Sequence, residues 1–330
     1  MGLTASVLAV DAGNSKSDVA LVGPDGTVLG SARGHHGFQP PLVGIDTAVD
    51  LLGGTVERAL ADARERGFAV DAVEHVSACL ANADLPVEEA ELSEALQARG
   101  WGRSVQVRND TFALLRAGLD EPRGVAVVCG AGINCVGMLP DGRVARFPAI
   151  GKISGDWGGG HGLALEALWY AARADDGRGE PTELARTLPA HYGVDSMIAL
   201  IEALHRGDIP SHRTHEATPV LFATGAAGDP IARYLVRRLA QEVVAMSTVA
   251  LGRLGLLDEE VPVLLGGSVL AARHPELDEQ ISTLLAAKAP KAVVKVVTAP
   301  PVLGAALLGF DHTGAPAEAR ARLRAHYEGA

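Results

Sequence analysis

SVLAVDAGNSKSDVALVGPDG (residues 6–26) and GVAVVCGAGINCVGMLPDG (residues 124–142) follow one order. Each reads as an apolar strand, a glycine loop, a second apolar strand and a Pro-Asp-Gly turn. A third strand leads out, TVLGSA after the first and RVARF after the second. The turns at Pro24-Asp25-Gly26 and Pro140-Asp141-Gly142 are common devices taken singly. The shared order of strand, loop, strand, turn and strand favours duplication over coincidence. The repeat is too long for a solenoid and fits a duplicated domain, with two similar lobes facing one another.

The chain between and after the two copies alternates helices with strands. A helix is expected from about Asp46 to Arg66, a strand at HVSACLA, a helix near Val87–Arg99 and a strand at SVQVRND. A helix from Thr111 to Gly118 leads into the second copy. After it come ISGDWGGGHG, an apolar helix from about Leu163 to Ala174, and a polar surface excursion with a short helix. A long helix is expected from Pro230 to about Leu254, since Ile231, Leu235, Leu239, Val243 and Met246 step by four and three. Asp229 is placed to cap it, with Pro230 at its first position. VPVLLGG and KAVVKVV read as strands, APPVLGAALLG follows, and a terminal helix starts at about 315. This alternation predicts an α/β class.

Bulk composition agrees. The chain has 330 residues, 48% hydrophobic and 21% charged, which suggests about two domains of ~150 residues. The division expected from the motifs is an N-terminal lobe at 1–117 and a C-terminal lobe at 118–330. With 29 Lys and Arg against 40 Asp and Glu, the formal net charge is −11. That balance argues against nucleic acid or an anionic membrane as partner. It leaves ATP open, because a phosphate site can be made locally from backbone amides. Cys79, Cys129 and Cys135 form no C-x-x-C and read as buried, reduced thiols. No signal peptide or membrane-spanning stretch is visible, so a cytoplasmic protein is expected.

Five segments could carry chemistry. In the first, Gly13 lets the backbone turn close to an anion, and Asn14, Ser15 and Lys16 can grip phosphate oxygens. Asp11, at the strand end before them, can hold Mg²⁺. A plain hairpin would look much the same. The second, Gly130, Ala131, Gly132 and Asn134, repeats the grip in the other copy, and the pairing carries the argument. The third is Asp110 in VRNDTFALL, after Asn109. A lone Asp at a helix start is most simply an N-cap. Its place between the two glycine hairpins favours a general base, kept ionised by the helix N-terminus. The fourth is GDWGGG, in which Asp156 could bind substrate hydroxyls. The fifth is Gly266-Gly267-Ser268 with Gly225 upstream, small residues that let a purine approach. His35, His36 and Gln39 read as solvated loop residues or sugar contacts. Trp101, Trp157 and Trp169 read as packing.

As a series, DAGNSKS, PDG, ND before a helix, CGAGINC, GDWGGG and LLGGS resemble the N-acetylglucosamine kinase-like ATPases. These form the BadF/BadG/BcrA/BcrD family of the actin, hexokinase and heat-shock chaperone superfamily. The resemblance spans nearly the whole chain. It implies a two-lobed actin-like, ribonuclease H-like fold of duplicated mixed-sheet domains, with the active site in the interlobe cleft. It implies an ATP- and Mg²⁺-dependent kinase for a hexose or amino sugar, of N-acetylglucosamine or glucosamine type, in which Asp110 activates the 6-hydroxyl. Gly13, Asn14, Ser15 and Lys16 would form the first phosphate loop and Gly130, Ala131 and Gly132 the second, with Mg²⁺ near Asp11. His36, Gln39, Asn109, Asn134 and Asp156 would hold the sugar, and Gly225, Gly266, Gly267 and Ser268 the adenosine. A homodimer is compatible with this reading. The sequence departs from the family at Trp157, where an acidic residue is usual, and at GHHGFQPP, where an asparagine often holds the sugar.

The same family offers a second reading, the ATP-driven activator of an acyl-CoA reductase or dehydratase. That role needs cysteines paired across a dimer on an iron–sulfur cluster, and Cys129 and Cys135 inside one hairpin suit it poorly. DAGNS is also similar to the start of type III pantothenate kinases, without further support along the chain. A catalytically silent sugar sensor is the non-enzyme alternative. The first strand starts by Ser6, so no DNA-binding domain is expected ahead of it, and Asp110 argues for turnover.

Overall fold

A computed structural model describes residues 3–328. In chain order the elements are β1 (Leu3–Ala12), β2 (Ser17–Val22), β3 (Val28–Gly34), α1 (Pro40–Val43), α2 (Ile45–Glu65), β4 (Val70–Leu80), α3 (Pro86–Gln97), β5 (Ser104–Asn109), α4 (Thr111–Ala117), β6 (Gly124–Cys129), β7 (Ile133–Met138) and β8 (Val144–Arg146). There follow α5 (Gly159–Asp175), α6 (Leu184–Tyr192), α7 (Met197–Arg206), α8 (Ala217–Ala226), α9 (Pro230–Leu254), β9 (Val261–Gly266), α10 (Ser268–Ala271), α11 (Pro275–Lys288), β10 (Ala292–Val296), α12 (Pro301–Thr313) and α13 (Ala317–Glu328).

The strands form two five-stranded sheets, ordered β3-β2-β1-β4-β5 and β10-β9-β6-β7-β8. Read from the hairpin edge inward, the two orders are the same. In the first sheet β1 pairs antiparallel with β2 and parallel with β4. The duplication extends to the turns. Gly26 and Gly142 have φ of 88° and 89°, where a side chain would be strained. Asp25 Oδ1 accepts from Thr27 N at 3.1 Å, and Asp141 Oδ1 accepts from Arg143 N at 3.0 Å.

Contacts divide the chain into two units. The first holds residues 1–126, 136–148 and 297–330, and the second 127–135 and 149–296. The boundary therefore differs from the division at 117/118 expected from sequence. It passes through β6 and β7, and the C-terminal segment returns to the first unit. The reason lies in α12, whose residues from Val302 to Phe310 are all buried. A helix apolar on all sides must be enclosed. Here α12 packs on β1, β4 and α4.

In the first unit, side chains of β1 alternate between two cores. Leu8 and Val10 join Leu52, Val56 and Ala59 of α2. Val7 faces the other way, where a Cβ on Gly309 of α12 would lie 2.5 Å from its Cγ1. On the α2 side, a Cβ on Gly30 would meet Ala59 O at 2.4 Å. The sheet is thus clamped between α2 and α12, and the C-terminal ends of β1, β4 and β5 carry the loops of interest.

In the second unit, α9 forms as its caps dictate. Asp229 Oδ1 accepts from Ala232 N at 2.8 Å, and Gly255 closes the helix at φ 74°. Its buried stripe includes Leu235, Leu239, Val243 and Met246.

Candidate functional site

The first glycine loop joins β1 to β2. Gly13 N donates to Lys16 O at 2.9 Å, closing a tight turn. Asn14, Ser15 and Lys16 are exposed on it. The segment His35–Gln39 braces this loop from behind. Phe38 N donates to Gly13 O at 2.9 Å, and Gln39 Nε2 donates to Asn14 O at 2.7 Å. Gly37 is forced by the contact, since a Cβ there would lie 1.9 Å from Asn14 O. Ser17 Oγ donates to His36 O at 3.4 Å. Asn82, held at φ 61°, donates to Phe38 O at 2.8 Å and to Asn14 Oδ1 at 3.1 Å. The GHHGFQPP stretch therefore shapes the loop, and the Gln39 amide is engaged there.

Three carboxylates gather near that loop. Asp11, next to last in β1, lies opposite Asp18 of β2 and Cys79 of β4. Asp18 is neutralised by Arg33, with Nε donating to Oδ1 at 2.6 Å and Nη2 to Oδ2 at 3.1 Å. Lys16 Nζ lies 3.9 Å from Asp18 Oδ2. Burial holds the Asp11 carboxyl well above the usual range, and repulsion from Asp110 and Asp18 adds to it. Among the described residues, no group of three or more His, Cys, Asp or Glu is arranged to hold a metal alone. Mg²⁺ is commonly held by one or two carboxylates together with substrate phosphates. Asp11 beside exposed hydroxyl and amide groups is an all-oxygen donor set of that kind, in a spot where a cation would relieve the repulsion.

Asp110 begins α4, yet its side chain makes no capping hydrogen bond. Asn109 takes that part, its Oδ1 accepting from Thr111 N at 2.9 Å. Asn109 Nδ2 donates to Asp84 Oδ1 at 2.8 Å, and its backbone N to Glu89 Oε1 at 3.2 Å. Glu89 is paired with Arg146 Nη1 at 2.8 Å. Asn109 is buried at 2% exposure, so it acts as the fixed seat of its neighbour. Burial pushes Asp110 up to about 6, against lowering by the Thr111 backbone and hydroxyl. Desolvation outweighs the helix terminus that the sequence suggested would keep it ionised. A carboxylate with that value is largely ionised at neutral pH and well matched to accept a proton.

In the second unit two glycine segments converge on a third. Gly130 N donates to Gly132 O at 3.0 Å, which closes the turn. Gly160 N donates to Gly130 O at 2.7 Å, and His161 N to Ala131 O at 3.1 Å, from the start of α5. Gly159 has φ 74°, and a Cβ there would lie 2.5 Å from Ala131 O. Gly267 has φ 81°, and a Cβ there would lie 2.5 Å from the Cys129 carbonyl carbon and oxygen. The turns GAGIN, GGG and GGS are thus packed backbone to backbone.

A cavity of about 590 Å³ opens beside them. Gly130, Ala131, Gly160, Thr218, Phe222, Ser268 and His274 are among its walls. Phe222 and His274 stack at 3.8 Å with planes 2° apart, offering an aromatic wall. Of the sequence candidates, Ser268 lines this cavity and Gly267 props its edge. Gly225 is not among the lining residues. It is buried in α8 against Ala232 of α9. Phe222, Thr218 and His274 carry no signal in the sequence that sets them apart from core residues.

A second cavity, of about 280 Å³, shares Ala131 and His161 with the first and includes Asp156, Trp157, Lys152 and Glu166. Asp156 closes its own turn, accepting from Ser154 Oγ at 2.5 Å and from Gly151 N at 3.1 Å. Trp157 packs under Arg238, whose Cζ is 4.2 Å from the ring centroid. Asn134 Oδ1 accepts from Cys135 N at 2.7 Å. All three cysteines are buried and free.

Residues 8–309 match the family described as the BadF/BadG/BcrA/BcrD ATPase family. An N-acetyl-D-glucosamine kinase of Dictyostelium discoideum is 22% identical over 317 residues, 92% of this chain and 97% of the relative. An N-acetylmuramic acid/N-acetylglucosamine kinase of Clostridium acetobutylicum is 25% identical over 190 residues, 58% of this chain. That match spans 62% of the Clostridium protein's length. Among solved structures, a Chromobacterium violaceum protein described provisionally as an N-acetylglucosamine kinase superposes with a TM-score of 0.68 at 22% identity, covering 93% of this chain and 99% of that one. A Streptomyces griseus ROK family glucokinase, solved with glucose and AMPPNP, gives 0.53 at 17% identity, covering 92% and 98%. The α/β fold is shared with both. Among the described residues no helix is long and apolar enough to cross a membrane.

Proposed function

The chain belongs to the BadF/BadG/BcrA/BcrD ATPase family, and on that premise we propose that it is an ATP- and Mg²⁺-dependent sugar kinase. The observation that carries the reading is the convergence of two glycine turns on Gly130–Gly132 beside a large, aromatic-walled cavity. A nucleoside takes the cavity, with its base along Phe222 and His274 and its ribose near Ser268. Gly130, Ala131 and Gly132 in the second unit, and Gly13, Asn14, Ser15 and Lys16 in the first, are the proposed phosphate-binding loops. Asp11 is the protein ligand for Mg²⁺, which neutralises phosphate charge when bound.

The acceptor is an amino sugar of the N-acetylglucosamine or glucosamine type, as the names of the curated relatives suggest. Asp110 takes the proton of the 6-hydroxyl. The hydroxyl oxygen forms the new bond to the γ-phosphorus as the bond to the β-phosphate oxygen breaks, and ADP leaves. Asn109 and Asp84 hold the base in place. Asp156, Asn134 and His36 are the remaining sugar contacts proposed, while the Gln39 amide, bound to Asn14 O, braces the phosphate loop. Cys129 and Cys135, buried and inside one hairpin, favour the kinase over the iron–sulfur activator. The enzyme works in the cytoplasm on a small substrate.

The test is to incubate the protein with ATP, Mg²⁺ and a panel of hexoses and amino sugars while following ADP release. Sugar-dependent release, lost in Asp110→Asn, is the expected result. No release with any sugar, or release unchanged in Asp110→Asn, overturns the assignment.

A further inference from the structure

Within the first unit, the helix that begins at Asp110 is held at both ends by residues remote from it in sequence. All seven residues of α4 are buried. Arg116, near its C-terminal end, is 1% exposed. Its Nε donates to Asp311 Oδ2 at 2.7 Å, its Nη2 to Asp311 Oδ1 at 3.2 Å and its Nη1 to Leu119 O at 2.7 Å. This is a bidentate pair reaching from α4 to α12. One helical turn from Asp110 the contact is tighter still. A Cβ on Gly304 of α12 would lie 1.7 Å from Ala113 O and 2.7 Å from Ala117 N. Ala113 N in turn donates to Asp110 O at 3.0 Å. From α13, Arg324 Nη1 donates to Ala117 O at 2.9 Å. The backbone of α4 therefore has little freedom to slide, and any displacement of α12 is passed to Asp110.

We infer that Gly304 and the Arg116–Asp311 pair are positioning residues for the general base, so that the C-terminal segment 297–330 belongs to the catalytic apparatus. The inference rests on the reading of Asp110 as base. A buried fork and a missing Cβ fix a helix along its axis and in its rotation, and general-base catalysis depends on hydrogen-bond reach to the acceptor. Disturbing either contact moves the base within the first unit.

The test compares Gly304→Ala, Asp311→Asn, Asp311→Glu and Asp110→Asn with the wild-type chain, singly and with each of the first two combined with Asp110→Asn. Turnover is measured with ATP, Mg²⁺ and N-acetylglucosamine, or the fastest sugar of the panel, and ADP binding is measured separately. Gly304→Ala and Asp311→Asn should each lower kcat by roughly 10- to 100-fold, leave the ADP Kd within about twofold, and shift the pH midpoint of kcat/KM. Asp311→Glu should recover part of the loss. In the Asp110→Asn background neither substitution should lower kcat further, because residues acting through one group are non-additive. Full additivity in that background, or unchanged kcat in both single variants, overturns the inference. Should Gly304→Ala fail to fold, Asp311→Asn carries the same comparison. If Asp110→Asn alone leaves turnover unchanged, it is the base assignment that falls.

Discussion

Asp110→Asn should cut turnover to a small residual rate and make the protein more stable at once. Burial raises the Asp110 carboxyl from an ordinary 3.8 to about 6. At about 1.4 kcal/mol per pKa unit, the ionised form is roughly 3 kcal/mol harder to hold in the fold than in the unfolded chain. The sign follows from proton counting. Between about pH 4 and 6 the folded state binds more protons than the unfolded state, so stability falls as pH rises through that window and stays lower above it. Asparagine keeps the shape and never ionises. It also removes the repulsion that Asp110 exerts on Asp11. The variant should therefore exceed the wild type by up to about 3 kcal/mol at pH 8 and match it near pH 4. Trp101 lies in the first unit, while Trp157 and Trp169 lie in the second. A background with the latter two changed to Phe makes urea unfolding, followed by fluorescence, report on the unit that holds Asp110. Equal stability at pH 8, or a difference that persists at pH 4, would refute the claim that desolvation governs this carboxylate.

Four further outcomes follow from the same geometry. For the wild type, kcat/KM should fall about tenfold per pH unit below about 6 as Asp110 takes up its proton, and a profile flat from pH 7 to 4.5 contradicts this. Phe222→Ala removes one face of the stack with His274 and should weaken ADP binding about tenfold in calorimetry, from a stacking contribution of about 1.5 kcal/mol. Gly159→Ala places a strained residue at φ 74° against Ala131 O, at a cost of roughly 1–3 kcal/mol, with ADP affinity and melting temperature both reduced. Asp11→Asn should raise the Mg²⁺ concentration needed for half-maximal turnover at least tenfold, on the order of 1.4 kcal/mol of lost binding, while leaving metal-free ADP binding in place.

Much of this was legible in the chain, for local reasons. The paired hairpins showed because Pro-Asp-Gly turns are written in adjacent residues, and α9 because its caps and apolar spacing agree. What escaped depends on contacts far apart in sequence. The run PVLGAALLG has no polar side to set a period, so its helix and its return to the first sheet were invisible. Gly267 read as room for a purine and Gly159 had no part of its own, whereas both are needed for backbone packing on the Gly130 loop. Phe222 and His274, on different elements, become one wall only in the fold. The His35–Gln39 stretch looked open to substrate, and its partner Asn14 sits more than twenty residues away.

The most direct test of the account is the identity of the phosphate acceptor. ATP labelled at the γ-phosphate, Mg²⁺ and N-acetylglucosamine or glucosamine are incubated with the protein, and the labelled products are separated and weighed by mass spectrometry. The account predicts a 6-phosphorylated sugar formed in step with ADP and reduced to a trace in Asp110→Asn. Label released only as inorganic phosphate, at a rate indifferent to sugar, would contradict it.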